Sequence, residues 1–189
     1  GVGRPNLCLA DFIVPAETGL TDWIGLFVLS TGFGLEELQA HYKAQQDEYR
    51  ALLAQSLADR LAEAFAEALH QRVRKDLWGY SPEENLTPEE CIKGNYQGIR
   101  PAFGYPACPD HFDKQLVFSL LDAEKHCGIH LTESAMMVPS ASVCGMYFSH
   151  PASYYFGVGR IGEDQLADWA QRKGLDIETA QKRLGPIFL

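Results

Sequence analysis

Two rhythms of apolar residues alternate along this 189-residue chain. Asn6–Val14 and Asp22–Ser30 (DWIGLFVLS) are dense in β-formers, with the turn-forming segment PAETGL between them, and predict two strands. From Gly34 to Leu77 the period becomes helical, in two pieces that break near Gln45–Asp47. Tyr49, Leu53, Leu57, Leu61, Phe65, Leu69 and Val73 recur at steps of four with alanines around them, predicting one long amphipathic helix. Thr87, Pro88 and Glu90 have the spacing of a capping box with proline in the first turn. Asp113–Cys127 predicts another amphipathic helix, stopped at Gly128. Three short apolar-aromatic segments follow: Ile129–Val138, Ser142–Ser149 and Tyr154–Ile161. Their tight PSA and HPAS connections predict an antiparallel meander. Glu163–Lys173 and Asp176–Leu184 close the chain as helices, each stopped by glycine. The order β-β-α-α-α-β-β-β-α-α segregates strands from helices, so the predicted class is α+β and not a doubly wound sheet.

One stretch fits neither rhythm. Gly98–His111, GIRPAFGYPACPDH, holds three prolines and two glycines in fourteen residues. Proline fixes φ and donates no N–H, while Gly104 can take φ > 0 or let a ligand approach the main chain. The segment is therefore stiff and extended, with backbone groups that must pair with water, side chains or a ligand. It carries a permanent cation, Arg100, and an amphipathic ring, Tyr105. A guanidinium suits a carboxylate bidentately. In the later run SYYFGVG, alternation puts Tyr154 and Phe156 on one side and Tyr155 on the other. Aromatic faces attract cations by ~0.5–2 kcal/mol. A carboxylate, a cationic centre and a flat ring together describe S-adenosylmethionine better than an anionic nucleotide.

The charge balance narrows the partners. Sixteen basic against 25 acidic residues give a net charge of −9, which argues against nucleic acid. The basic cluster Arg72, Arg74 and Lys75 is expected to sit as cations near a helix C-terminus. No apolar run is long enough for a membrane span, and the N-terminus lacks signal-peptide architecture. Five scattered cysteines suggest a reducing cytoplasm over a disulfide framework. Two other chemistries stay open: a zinc or thiol site built on Cys108 and His111, whose spacing is that of a ligand pair, and a non-catalytic docking domain.

GIRPAFGYPACPDH resembles the Arg-x-x-x-Gly-Tyr signature of the activation (reactivation) domain of cobalamin-dependent methionine synthase. LCLADFIVP, DRLAEAFAEALHQRVRKDLWGY, LTES and YFSHPASYYFGVG are similar to further stretches of that family, in the same order. The resemblance spans nearly the whole chain, 1–189, as one S-adenosylmethionine-binding domain. It implies a bent antiparallel sheet flanked by helices. It also implies a function: S-adenosylmethionine remethylates the corrin after inactive cob(II)alamin takes one electron from flavodoxin or a flavoprotein reductase. The domain would position the donor and supply no nucleophile, and the chain is expected to be inactive without its cobalamin-binding module. Carried over by position, Arg100 would bind the methionyl carboxylate, and Ala102 and its main chain the adenosine. Gly104 would permit close approach, Tyr105 would shape the loop, Tyr155 and Phe156 would contact the ligand, and Glu63 would lie near the site. Phe103 replaces the usual proline, and Phe156 lacks a hydroxyl common at its position. Family domains extend further at the N-terminus, where an acidic residue pairs with the ligand's amino group, so the chain is expected to be truncated there.

Overall fold

A computed structural model describes residues 7–185 and 187–188. Its frame is one antiparallel pair. β1 (Gly25–Ser30) and β4 (Ser142–Tyr147) lie with Gly25 opposite Tyr147 and Ser30 opposite Ser142. The proline-rich loop takes the other edge of β4. Ile99 and Phe148 exchange backbone hydrogen bonds at 3.0 Å each, and the Met146 N–H donates to the Pro101 carbonyl at 3.0 Å. Loop and sheet touch so closely because residue 145 has no side chain. A Cβ there would sit 2.6 Å from the Pro101 oxygen and 2.9 Å from the Phe27 ring. Gly145→Ala is expected to displace the loop and cost about 1–3 kcal/mol, the range for overpacking, measured by urea denaturation. An unchanged midpoint would show that the loop is not held by this approach.

Helices cover both sides of this frame. α1 (Leu35–Ala44) and α2 (Glu48–Arg72) are separated at Gln45–Asp47, and Asp47 caps α2 by accepting from the Arg50 N–H. A five-residue π-helical turn, Val73–Leu77, extends α2. α3 (Pro88–Ile92) begins with the Thr87–Glu90 capping box. α2 packs on Phe27, Leu29 and Tyr147 through Ala62 and Ala66, and its π-helical extension through Val73. On the opposite side Ile99, Phe103, Cys108, Cys144 and Phe148 form a second cluster with Leu9, Phe12 and Val117. Phe103 is thus a buried anchor of the loop. At the C-terminus, α6 (Glu163–Lys173) and α7 (Ile177–Leu184) enclose a cluster of their own. Lys173 with Asp113, and Arg183 with Asp110 at 3.5 Å, tie that hairpin to the rest.

The α+β class stands, with an antiparallel sheet flanked by helices, but several predicted elements differ. The first strand is a 3-10 turn, Leu9–Phe12, followed by extended chain; Asn6 lies outside the described residues. Its apolar residues face the core by capping that turn through Asp11, not by sheet pairing. The helix at 113–127 is broken at Asp122 (φ 46°) into α4 (Lys114–Leu121) and α5 (Ala123–Cys127). The meander does not form. β2 (His130–Leu131) and β3 (Met137–Val138) make a minimal hairpin, β4 pairs with distant β1, and Tyr154–Ile161 is irregular. Both edges of β4 are occupied, one by β1 and one by Ile99–Ala102, so no edge is left for Tyr154–Ile161.

The apolar stripe of α2 also departs from expectation. Tyr49, Leu53, Leu57, Leu61 and Phe65 are exposed, whereas Ala51, Ala58, Ala62, Ala66 and His70 are buried. A step of four turns about 40° past a full helical revolution, so seven such positions wind through about 240° and cannot share one face. Only the last two, Leu69 and Val73, come round to the alanine side.

Candidate functional site

The loop, the sheet, α2 and the aromatic segment 155–157 enclose a cavity of about 480 Å³. Arg100, Pro101, Ala102 and Tyr105 wall it from the loop, Glu63 and Ala66 from α2, Phe27 and Val143 from the sheet, and Tyr155 and Phe156 from the last segment. Six of the seven sequence-predicted site residues therefore meet at one place: Glu63, Arg100, Ala102, Tyr105, Tyr155 and Phe156. Gly104 does not wall the cavity. It adopts φ +93°, and the His111 ring fills the space a Cβ would need, at 2.1 Å. Its role is to let the loop turn against His111, with its N–H donating to the Cys108 carbonyl at 2.8 Å.

Local structure explains how each wall is held. Ala102 is bridged to Gly145 on β4, which fixes the loop backbone. The Arg100 N–H donates to the Tyr155 hydroxyl at 3.0 Å, joining the loop to the aromatic segment. Tyr154 and Phe156 both pack on Phe12, at 6.1 and 6.2 Å between ring centroids, while Tyr155 turns the other way. The alternation read from the sequence survives in an irregular backbone because Phe12 and Arg100 pull successive side chains to opposite sides.

The Arg100 side chain is 18% exposed and firmly held. Its Nη2 pairs with Glu67 Oε2 at 2.9 Å, and Nη1 donates to the Tyr96 hydroxyl at 2.7 Å. Nη1 also lies 3.4 Å from His70 Nδ1. Because a guanidinium only donates, Nδ1 must accept, which leaves Nε2–H to donate to the Tyr80 hydroxyl 3.3 Å away. Burial first, then the charges of Arg74 and Arg100, push the His70 pKa down to about 2, so the imidazole stays neutral. Burial alone would lower the Arg100 pKa, but Tyr96 and Glu67 more than reverse this and the net shift is upward.

Behind this layer lies a second guanidinium. Arg74 lies at the helix end, as its position in the sequence suggested, but is fully buried. Its Nε and Nη2 donate to Glu84 at 2.6 and 2.8 Å, and its guanidinium lies 4.0 Å from the centre of the Tyr96 ring. Sequence reasoning singled out neither Glu67 and His70 on α2 nor Tyr80, Glu84 and Tyr96 beyond it. A signal for the helical members was present. Glu63, Glu67, His70 and Arg74 are spaced 4, 3 and 4 and fall within about 60° around the helix, a polar face beside the alanines.

The competing chemistries find less support in the geometry. Cys108 is buried, which pushes its thiol pKa up to about 12, away from nucleophilic thiolate. Among the described residues no group of three or more His, Cys, Asp or Glu could hold a metal ion. No helix among them is long and apolar enough to cross a membrane.

Two comparisons with known proteins bear on this site. The family model "Vitamin B12 dependent methionine synthase, activation domain" matches residues 1–174. A crystal structure of the MetH reactivation domain bound to AdoHcy is similar with a TM-score of 0.95 at 51% identity. That match covers 100% of this chain and 58% of the other, so this chain spans little more than half of that protein.

Proposed function

This chain belongs to the activation-domain family of vitamin B12-dependent methionine synthase, and from that premise we propose that residues 1–189 act as one module whose cavity binds S-adenosylmethionine for remethylation of an oxidised cobalamin. The observation that carries the proposal is the convergence of Glu63, Arg100, Ala102, Tyr105, Tyr155 and Phe156 on one cavity. Its volume of about 480 Å³ falls within the ~300–1,000 Å³ usual for small-molecule sites. The residues suit the ligand's chemistry. Arg100, oriented by its hydrogen bond to the Tyr96 hydroxyl, takes the carboxylate. Tyr105, Tyr155 and Phe156 offer aromatic surface to the adenine and sulfonium. AdoHcy in the related crystal structure is the demethylated form of the same molecule.

S-adenosylmethionine supplies an electrophilic methyl group on sulfur; this chain's residues bind, orient and desolvate it. That is catalysis by positioning, with no protein nucleophile required. The cobalamin is assigned to a separate module, the electron to flavodoxin or a flavoprotein reductase, and the isolated chain is assigned no turnover. Family membership supports the cobalamin-binding module. A net charge of −9 argues against a nucleic-acid role, and the odd, scattered cysteines support a cytoplasmic location.

Calorimetric titration with S-adenosylhomocysteine tests the binding. A saturable heat and a concentration-dependent rise in melting temperature are expected. No heat and no thermal shift at millimolar ligand would overturn the proposal and leave a docking domain without ligand affinity.

A further inference from the structure

Glu67 sits between two guanidinium groups and is bonded to only one of them. Its Oε2 pairs with Arg100 Nη2 at 2.9 Å, while its Oε1 faces Arg74 Nη1 across 4.0 Å. Both of these facing atoms are buried, and neither has a hydrogen-bond partner among the described residues. Buried polar atoms are usually paired, so an orphan acceptor opposite an orphan donor is informative. Glu84 already occupies the Nε–Nη2 fork of Arg74, which makes Nη1 the free donor on that side. A contraction of roughly 1 Å would bring the two orphans to hydrogen-bond distance.

We infer that Glu67 is the resident counter-ion of Arg100 and is handed to Arg74 when a ligand carboxylate arrives. The cluster holds two arginines, Arg74 and Arg100, and two glutamates, Glu67 and Glu84, and so is charge-balanced before a ligand enters. An entering carboxylate must share or displace the anion already on Arg100. Simple displacement would leave Glu67 half-buried without a cation, which is costly. The unfilled Arg74 donor removes that cost and keeps each anion beside a guanidinium. His70, held neutral between the two arginines, contributes no charge to the exchange. Tyr96 braces both cations, donating nothing to Glu67 but accepting from Arg100 and lying against Arg74. Glu67 is thus a positioning residue that sets how readily Arg100 accepts an amino-acid carboxylate.

The inference rests on the assignment of Arg100 to the ligand carboxylate, and the test separates the two. In a crystal structure of this protein with S-adenosylhomocysteine, Glu67 is expected within hydrogen-bond distance of Arg74 Nη1, with its contact to Arg100 opened. Ligand carboxylate on Arg100 with Glu67 unmoved overturns the handover alone. Carboxylate bound elsewhere, or no binding by the wild-type chain, overturns the assignment beneath it. In solution, Glu67→Gln removes the competing charge at nearly constant shape. It should tighten S-adenosylhomocysteine three- to tenfold and leave 5′-methylthioadenosine, which lacks the amino-acid end, within twofold. A residue that merely braced Arg100 would give the opposite sign. Unchanged or weakened S-adenosylhomocysteine binding in a variant with wild-type melting behaviour therefore overturns the handover.

Discussion

Glu84→Ala is expected to destabilise the fold by about 3–5 kcal/mol, read from urea denaturation followed by circular dichroism. Arg74 is fully buried and Glu84 is its bidentate partner, itself only 6% exposed on its side chain. Burial pulls the Arg74 pKa down, yet the Glu84 hydrogen bonds and charge carry it above the ordinary arginine value. Removing Glu84 leaves a desolvated cation whose remaining neighbours are Glu67 at 4.0 Å and the Tyr96 ring. The uncompensated charge, more than the lost packing, sets the magnitude. Glu84→Gln keeps one acceptor and should lose less. A loss for Glu84→Ala below about 1 kcal/mol would mean that Glu67 or water replaces the partner, and the pair would then not be what holds the α2 end against the 80–84 segment.

Arg100→Ala is expected to weaken S-adenosylhomocysteine by about 1.5–3 kcal/mol, the range for hydrogen bonds to charged groups. That is roughly 10- to 150-fold in Kd, with the fold retained. Stability should change less than for Glu84→Ala, because Glu67, left without Arg100, still faces the unpartnered Nη1 of Arg74 at 4.0 Å. Arg100→Lys should recover only part of the affinity: an ammonium keeps the charge but not the planar fork that can take a carboxylate bidentately. Calorimetry on the wild type and both variants checks the series. Equal affinities would mean that the carboxylate is held by another group, and the assignment of the cavity would fail with it.

Local signals were legible in the chain. The break before α2, the Thr87 capping box, the glycine stop at Gly128 and the last two helices depend on residues within a few positions of one another. Part of the cavity wall was legible for a similar reason. Arg100, Ala102 and Tyr105 lie on one stiff peptide, and Tyr155 and Phe156 are neighbours. What failed were statements about faces and partners. A step-of-four leucine run passes for one stripe until the accumulated rotation is followed round the helix. The three aromatic segments pass for a meander until both edges of β4 are found occupied.

By itself, then, the sequence determined the α+β class, most helix boundaries and the stiff loop that carries Arg100 and Tyr105, since each is encoded in contiguous propensity and chemistry. Only the tertiary structure decided that alanines and not leucines face the sheet, that Gly104 serves His111 and Gly145 serves Pro101, and that Arg74 is a buried counterpart of Arg100. Those outcomes depend on which surfaces compete for the same space, the same edge or the same counter-ion once the chain has folded. Close packing and charge pairing settle such competitions in three dimensions, where sequence separation has no weight.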